Sequence, residues 1–196
     1  LWRNFCVSDT FEPGSPSKIL TVAAGLEEGV LKGNEYFDCG GYLHVGDWDI
    51  KCTAYRKGGH GSLSLTESIM KSCNVAMMRI GAMMGSGIFA KYQAMFGMGQ
   101  KTGIDLPGEA DAAGLVYPAD KMGPTELATN AFGQNYNCTM IQMAAALCSV
   151  INGGSYYEPH VVRQILNEQG SVVETKDPVL VRETVSQSTA DYLKEA

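Results

Sequence analysis

Hydrophobic residues recur at helical spacing along most of the chain, and this pattern changes to short extended runs after Gly154. The helical spacing predicts helices in five segments: the run that follows Ser15, 64–72, 75–84, 88–96 and 139–151. Segment 34–61 is weakly patterned and predicts short strands, whereas segment 104–122 is a connection rich in proline and glycine. After Gly154, runs 160–166 and 171–174 flank a turn-like segment and predict a β-hairpin.

Two capping boxes indicate where helices begin. Ser64 is followed three residues later by Glu67, and Thr139 by Gln142, which is the spacing of reciprocal side-chain and backbone hydrogen bonds at a helix N-terminus. The helix after Thr139 is apolar on all sides and is expected to be buried in the core. Methionines 70, 77, 78, 83 and 84 also fall at helical spacing and are interpreted as core residues.

Composition limits the function classes. With 196 residues and 45% hydrophobic content, the chain can bury one core, and it is interpreted as one domain or most of one. A net charge of −6 without a lysine or arginine cluster argues against nucleic-acid binding. His44, His60 and His160 show no ligand spacing, so neither a metal nor a cofactor is predicted.

Ser15 and Lys18 form an S-x-x-K motif at the start of an apolar helix. A lysine three residues after a serine lies one helical turn away on the same face, where it can accept the serine proton. Pro16 suits the first helical position, and the helix N-terminus favours negative charge that develops on Ser15. The alternative interpretation is a capped helix with a surface lysine.

Ser72-Cys73-Asn74 is a second motif, of the form S-x-N, at the predicted junction of two helices. A serine and an amide at such a junction can both project into a cleft, although Ser72 and Asn74 can also simply cap helix ends. S-x-x-K together with an S-x-N element and K-T-G is the active-site set of penicillin-binding proteins and class A β-lactamases. The two motifs together therefore favour acyl-transfer chemistry.

Further segments resemble one family over nearly the whole chain. They are 7–15, the Gly58-Gly59-His60-Gly61 turn, Ser72-Cys73-Asn74, 101–109 and Phe132-Gly133-Gln134. In order and spacing these segments are similar to the transpeptidase domain of class B penicillin-binding proteins, and most of all to the sporulation type. The resemblance implies an α+β fold of the serine β-lactamase and penicillin-binding-protein type, mainly the helical lobe with part of the antiparallel sheet.

The resemblance also implies a serine D,D-transpeptidase that cross-links peptidoglycan stem peptides ending in D-Ala-D-Ala and is acylated by β-lactams. Ser15 would be the nucleophile. Lys18 would be its base, as a neutral amine, or the electrostatic partner of another proton carrier. Ser72 would relay a proton towards the leaving amine, and Asn74 would bind the donor peptide and orient Lys18.

Lys101-Thr102-Gly103 spells K-T-G, but its surroundings do not predict the active-site strand. Glycines precede it and a Pro-Gly turn follows it. We therefore assign Lys101 no catalytic role and expect residues 1–196 to be a partial transpeptidase domain, without the C-terminal strand that carries the active-site K-T-G. The parent protein is expected to continue on both sides.

The family resemblance implies a bacterial protein at the extracytoplasmic face of the cytoplasmic membrane, anchored by a segment outside this chain, with a glycosyltransferase as partner. Two other function classes stay open at this stage. One is a β-lactam sensor or hydrolase on the same scaffold, and the other is a non-catalytic scaffold fragment. In isolation, the fragment is expected to be weakly active or inactive.

Six cysteines occur, at 6, 39, 52, 73, 138 and 148. Cys73 stands between Ser72 and Asn74, so a disulfide there would tether the S-x-N segment. Cys52 and Cys39 are the plausible partners, and Cys138 and Cys148 are expected to be buried. A Cys52–Cys73 bridge is hypothesised as a redox switch, and the alternative is that these are small buried thiols.

Overall fold

The computed structural model describes residues 3–196, which form a helical lobe edged by short antiparallel strand pairs. The helices are α1 (Phe5–Ser8), α2 (Lys18–Glu27), α3 (Leu65–Met70), α4 (Asn74–Met95), α5 (Pro124–Asn130), α6 (Met140–Ile151) and α7 (Gln187–Glu195). Among these residues, no helix combines the length and hydropathy that a membrane crossing needs.

The strands pair two by two, and all pairs are antiparallel. They are β1 (Thr10–Phe11) with β6 (Cys138–Thr139), β2 (Tyr36–Cys39) with β5 (Gly61–Ser64), β3 (Tyr42–Val45) with β4 (Trp48–Lys51), β7 (Ser155–Tyr157) with β10 (Leu180–Glu183), and β8 (Gln164–Leu166) with β9 (Val172–Thr175). The α+β class and the hairpin after Gly154 are thus confirmed.

The core is centred on α2 and α4, which pack against each other, and α5 also packs against α4. Helix α2 buries most of its residues because its sequence is apolar or small at nearly every position. Helix α4 contains both predicted helices, 75–84 and 88–96, and is interrupted at Gly85, whose backbone angles are not helical. Both predicted capping boxes, at Ser64 and Thr139, are confirmed.

The α2 helix also anchors the C-terminal helix. The Glu27 carboxylate, at the last residue of α2, accepts hydrogen bonds from Ser186 N at 2.9 Å, Ser186 Oγ at 2.8 Å and Thr189 Oγ1 at 2.7 Å. These groups form the N-terminus of α7, where a negative charge is favoured by the helix dipole. The last residue of α2 therefore holds the start of α7, which is 159 residues away in sequence at Ser186.

The burial predicted for α6 and for two of the methionines is wrong. Helix α6 is not enclosed on all sides: Met140 is 40% and Ile151 58% exposed, because α6 lies at the outside of the lobe and only one of its faces packs inward. Among the methionines, those at 77, 78 and 84 are buried, but Met83 is 50% exposed. Met83 lies one residue away from the inward stripe of α4, on its solvent side, and Met70, at the end of α3, is 72% exposed.

Candidate active site

Ser15 begins a short 3₁₀ turn, Ser15–Ser17, that leads directly into α2. The turn is held from behind by Gly133, whose carbonyl accepts a hydrogen bond from Gly14 N at 2.7 Å. A Cβ at position 133 would lie 2.0 Å from Gly14 O, so only glycine allows this approach. The side chain of Ser15 is left exposed, as a nucleophile requires. Gly133 thus lies behind the nucleophile.

Lys18 Nζ is surrounded by four oxygen atoms. The side-chain amine lies 3.2 Å from Ser15 Oγ, 2.7 Å from Ser72 Oγ, 2.8 Å from Ser72 O and 2.7 Å from Asn74 Oδ1. Ser72 Oγ is in turn 2.9 Å from Ser15 Oγ. The structure therefore brings all four predicted catalytic residues together, although they come from two segments more than fifty residues apart.

The S-x-N segment is shaped by the junction between α3 and α4. Ser72 N donates to Ile69 O at 2.9 Å and closes the end of α3. Ser72 has a φ of 51°, which is uncommon for a residue with a side chain, and it directs both its carbonyl and its hydroxyl to Lys18. Asn74 Nδ2 donates to Lys51 O at 3.2 Å, which fixes the side-chain oxygen towards Lys18.

The Lys18 amine is almost inaccessible, with 3% of the residue exposed. Burial lowers the pKa of Lys18 below its ordinary value of 10.5, because the charged form loses hydration, while the nearby Cys52 and Cys73 thiols act to raise it. Burial is the larger effect. A lowered pKa increases the fraction of neutral amine, which is the form that can accept a proton.

The hydrogen-bonding partners are compatible with that neutral form. Ser72 O and Asn74 Oδ1 can only accept hydrogen bonds, so each accepts one from an N–H group of the Lys18 amine. The remaining lone pair of a neutral Lys18 can accept a proton from a hydroxyl, either from Ser15 directly or through Ser72. The arrangement can thus deprotonate Ser15 by two routes of normal hydrogen-bond length.

The K-T-G segment lies in a loop, as its surroundings predict. Thr102 N and Thr102 Oγ1 both donate to Glu109 Oε1 at 2.6 Å, which holds the loop against the following turn. Neither Lys101 nor its neighbours form part of a strand.

Cys52 and Cys73 lie next to each other behind the S-x-N segment. Both are buried free thiols, and their sulfur atoms are 3.9 Å apart. Cys138 is buried as predicted, but the prediction for Cys148 is wrong: it is exposed, on the outer face of α6.

Cys39 and His60 lie beside these two thiols, and this grouping is not predicted from the sequence. Cys39 Sγ and Cys52 Sγ each lie 3.6 Å from His60 Nδ1, and the ligand atoms of Cys39, Cys52, His60 and Cys73 all lie within 4.8 Å of one another. The spacing of the histidines in sequence predicts no metal site. In sequence, His60 stands in a glycine turn and Cys39 is a candidate disulfide partner, and neither feature indicates that the four residues converge.

The model of the penicillin binding protein transpeptidase domain matches residues 1–196, the whole chain. The chain belongs to this family. Stage V sporulation protein D of Bacillus subtilis is 36% identical over 197 residues, which cover 99% of this chain and 30% of that protein. The S-x-x-K and S-x-N residues described above therefore lie within the part of this chain that matches the transpeptidase domain.

Solved structures agree with this assignment. The D,D-transpeptidase domain of a peptidoglycan glycosyltransferase from Eggerthella lenta superimposes with a TM-score of 0.88 at 24% identity, over 98% of this chain and 49% of that one. Penicillin-binding protein 3 of Mycobacterium tuberculosis, complexed with aztreonam, has a TM-score of 0.82 at 28% identity, over 97% of this chain and 41% of that one. This chain thus spans about a third of the curated relatives it matches and about half of these solved chains.

Proposed function

We propose that the protein is a peptidoglycan D,D-transpeptidase that works through a serine acyl-enzyme and is covalently inhibited by β-lactams. The observation that carries the proposal is the position of Lys18 Nζ, in hydrogen-bond contact with Ser15, Ser72 and Asn74 at once. The relatives named as transpeptidases and the aztreonam complex of penicillin-binding protein 3 support the substrate class.

In the proposed reaction, Ser15 Oγ attacks the carbonyl carbon of the penultimate D-Ala residue of a donor stem peptide. The serine proton passes to Lys18, directly or through Ser72, and is then delivered to the nitrogen of the departing D-Ala. An ester links Ser15 to the shortened stem peptide. An amine from a second stem peptide attacks this ester, forms the cross-link and returns the proton through the same groups to Ser15.

A hydrolytic β-lactamase activity is a weaker candidate for this site. Hydrolysis of the acyl-enzyme needs a base that activates water, and class A β-lactamases use a glutamate for that step. Within residues 3–196, no carboxylate hydrogen-bonds to the side chain of Ser15, Lys18, Ser72 or Asn74. The acyl-enzyme is therefore expected to persist until an amine acceptor arrives, which is the behaviour of a transpeptidase.

The setting of the reaction follows from the family. Members act in cell-wall synthesis, so we propose that the protein works at the extracytoplasmic face of the bacterial membrane, with a glycosyltransferase that supplies glycan strands. An anchor and a substrate-binding strand bearing the active-site K-T-G are proposed to belong to other parts of the full-length protein.

Intact-mass spectrometry with a penicillin tests the proposal. The full-length protein should gain the mass of one ring-opened penicillin, and Ser15→Ala should gain none, whereas Ser171→Ala, an exposed hairpin serine, should react normally. Rapid loss of the adduct with release of penicilloic acid would identify a hydrolase. Failure of the wild-type protein to form any adduct would indicate a non-catalytic scaffold.

A further inference from the structure

Four side chains with metal-binding chemistry converge directly behind the S-x-N segment. Cys39, Cys52 and Cys73 are 2%, 4% and 0% exposed, and His60 is half-buried beside them. None of the four takes part in the acyl-transfer chemistry described above. Three cysteines and one histidine form one of the common ligand sets of closed, structural zinc sites.

The distances between the ligand atoms fit a tetrahedron around one ion. With Zn–S near 2.3 Å and Zn–N near 2.0 Å, tetrahedral geometry places two sulfurs about 3.8 Å apart and a sulfur and a nitrogen about 3.5 Å apart. The Cys52–Cys73 sulfur distance is 3.9 Å, and His60 Nδ1 is 3.6 Å from the sulfurs of both Cys39 and Cys52. Small side-chain shifts bring the remaining pairs, all within 4.8 Å, to the same spacing.

The backbone around the cluster holds the ligands in place. His60 N donates to Cys39 O at 3.0 Å, and a Cβ on Gly59 would lie 2.0 Å from that carbonyl, so the Gly58-Gly59 turn folds His60 tightly back onto Cys39. Ala76 N lies 3.5 Å from Cys73 Sγ. A backbone donor at this position orients the sulfur as a ligand.

We infer that Cys39, Cys52, His60 and Cys73 form a structural zinc site. The ion would link the end of β2, the residue after β4, the residue before β5 and the N-cap residue of α4. Because Cys73 lies between Ser72 and Asn74, zinc would fix the position of the two S-x-N residues that contact Lys18. Soft thiolate ligands and a tetrahedral arrangement favour zinc over magnesium or calcium.

The zinc site and the Cys52–Cys73 disulfide exclude each other. A disulfide requires the two sulfurs at about 2.05 Å and removes both as ligands. The free thiols seen at 3.9 Å are the form that binds metal. An isolated protein with a Cys52–Cys73 bridge and no metal would therefore contradict the inference.

Metal analysis of the full-length protein, purified without chelator, tests the inference. We expect about one zinc per chain by elemental mass spectrometry, and loss of at least about tenfold in zinc affinity for Cys39→Ser and His60→Gln. Cys148→Ser and His44→Gln, which change exposed residues outside the cluster, should retain full occupancy. The inference would be overturned if the wild type contained no zinc and took none up on addition. It would also be overturned if all variants contained the same amount of zinc.

A second measurement does not depend on the folding of the variants. Wild-type protein stripped with a chelator and loaded with Co²⁺ should show the visible absorption bands of tetrahedral cobalt with thiolate ligands. Zinc should restore the penicillin acylation rate of the stripped protein and raise its melting temperature. Octahedral cobalt spectra, or stripped protein whose acylation and melting are unchanged by zinc, would contradict a structural zinc site here.

Discussion

Lys18 Nζ lies 2.7 Å from Ser72 Oγ, which in turn lies 2.9 Å from Ser15 Oγ. The direct contact between Lys18 and Ser15 is longer, at 3.2 Å. The shorter hydrogen bonds thus run from the nucleophile through Ser72 to the base. Of the two routes that the proposed function allows, this geometry favours transfer of the serine proton through Ser72.

Ser72→Ala tests this proton route. Loss of the hydroxyl leaves only the longer direct contact, so we expect penicillin acylation to slow by about 100-fold, the scale of a positioned proton-transfer group. Lys18→Ala should slow acylation by at least about 100-fold as well. Stopped-flow measurement of adduct formation provides both rates. Acylation by Ser72→Ala at the wild-type rate would show that Ser15 transfers its proton directly to Lys18.

The acylation rate is expected to depend on the protonation of Lys18. Burial lowers the pKa of Lys18 below 10.5, and only the neutral amine accepts a proton, so the rate should rise with pH and level off once Lys18 is neutral, below pH 10.5. Asn74→Asp places a carboxylate beside the amine, stabilises its charged form, and should move this rise to higher pH.

Asn74→Leu is the matched variant for that experiment. It removes the hydrogen bonds to Lys18 and to Lys51 O without adding charge, so it should slow acylation with no comparable shift to higher pH. An identical pH profile for Asn74→Asp and the wild type would argue that Lys18 does not control the rate.

Lys101→Ala is expected to leave acylation nearly unchanged. The K-T-G at 101–103 lies in a loop tied to Glu109 and forms no hydrogen bond to the four site residues, and the proposed function assigns substrate binding to a different strand. Circular dichroism of the variant provides the control for folding. A folded Lys101→Ala protein that no longer reacts with penicillin would show that this K-T-G is catalytic.

Glu27→Gln should weaken the attachment of α7 to α2. Although partial burial acts to raise the pKa of Glu27, hydrogen bonds from Ser186 and Thr189 outweigh it and lower that pKa below 4.5. A lowered folded-state pKa gives stability that is present above the unfolded value and lost as pH falls through the folded one. At neutral pH the variant should lose about 1 kcal/mol, or about 2–4 °C in melting temperature.

The difference between the two proteins should shrink at acidic pH, because Glu27 itself becomes protonated there. Thermal melts at neutral pH and at the lowest pH at which both proteins stay folded measure both quantities. Ser188→Ala changes an exposed neighbour that does not bond to Glu27 and serves as the control. A deficit that is equally large at both pH values would show that the Glu27 charge does not hold α7.

Local patterns predicted the parts of the site that depend on nearby residues. The three-residue spacing of Ser15 and Lys18 determines their shared face, and the capping box at Ser64 sets the start of α3. The cysteine and histidine cluster depends instead on two hairpins folding back on α4. No periodicity in the sequence indicates that these residues converge, so the spacing of the histidines and cysteines does not predict the cluster.

Burial was predicted less well than helix position, for a related reason. Apolar residues on every side of α6 indicate a helix but not which side meets the core, since that is decided by packing with α2, α7 and β7. The left-handed backbone of Ser72 is likewise imposed by the junction of two helices. A serine at this position does not by itself predict a positive φ.

The close contact between Gly133 and Gly14 has a consequence for inhibitor design. The backbone of the nucleophile turn rests directly on another backbone segment, with no space for even a methyl group between them. A covalent inhibitor attached to Ser15 therefore gains nothing from substituents directed towards residue 133. Added groups should extend from the exposed side of the serine, where the enlarged molecule meets solvent.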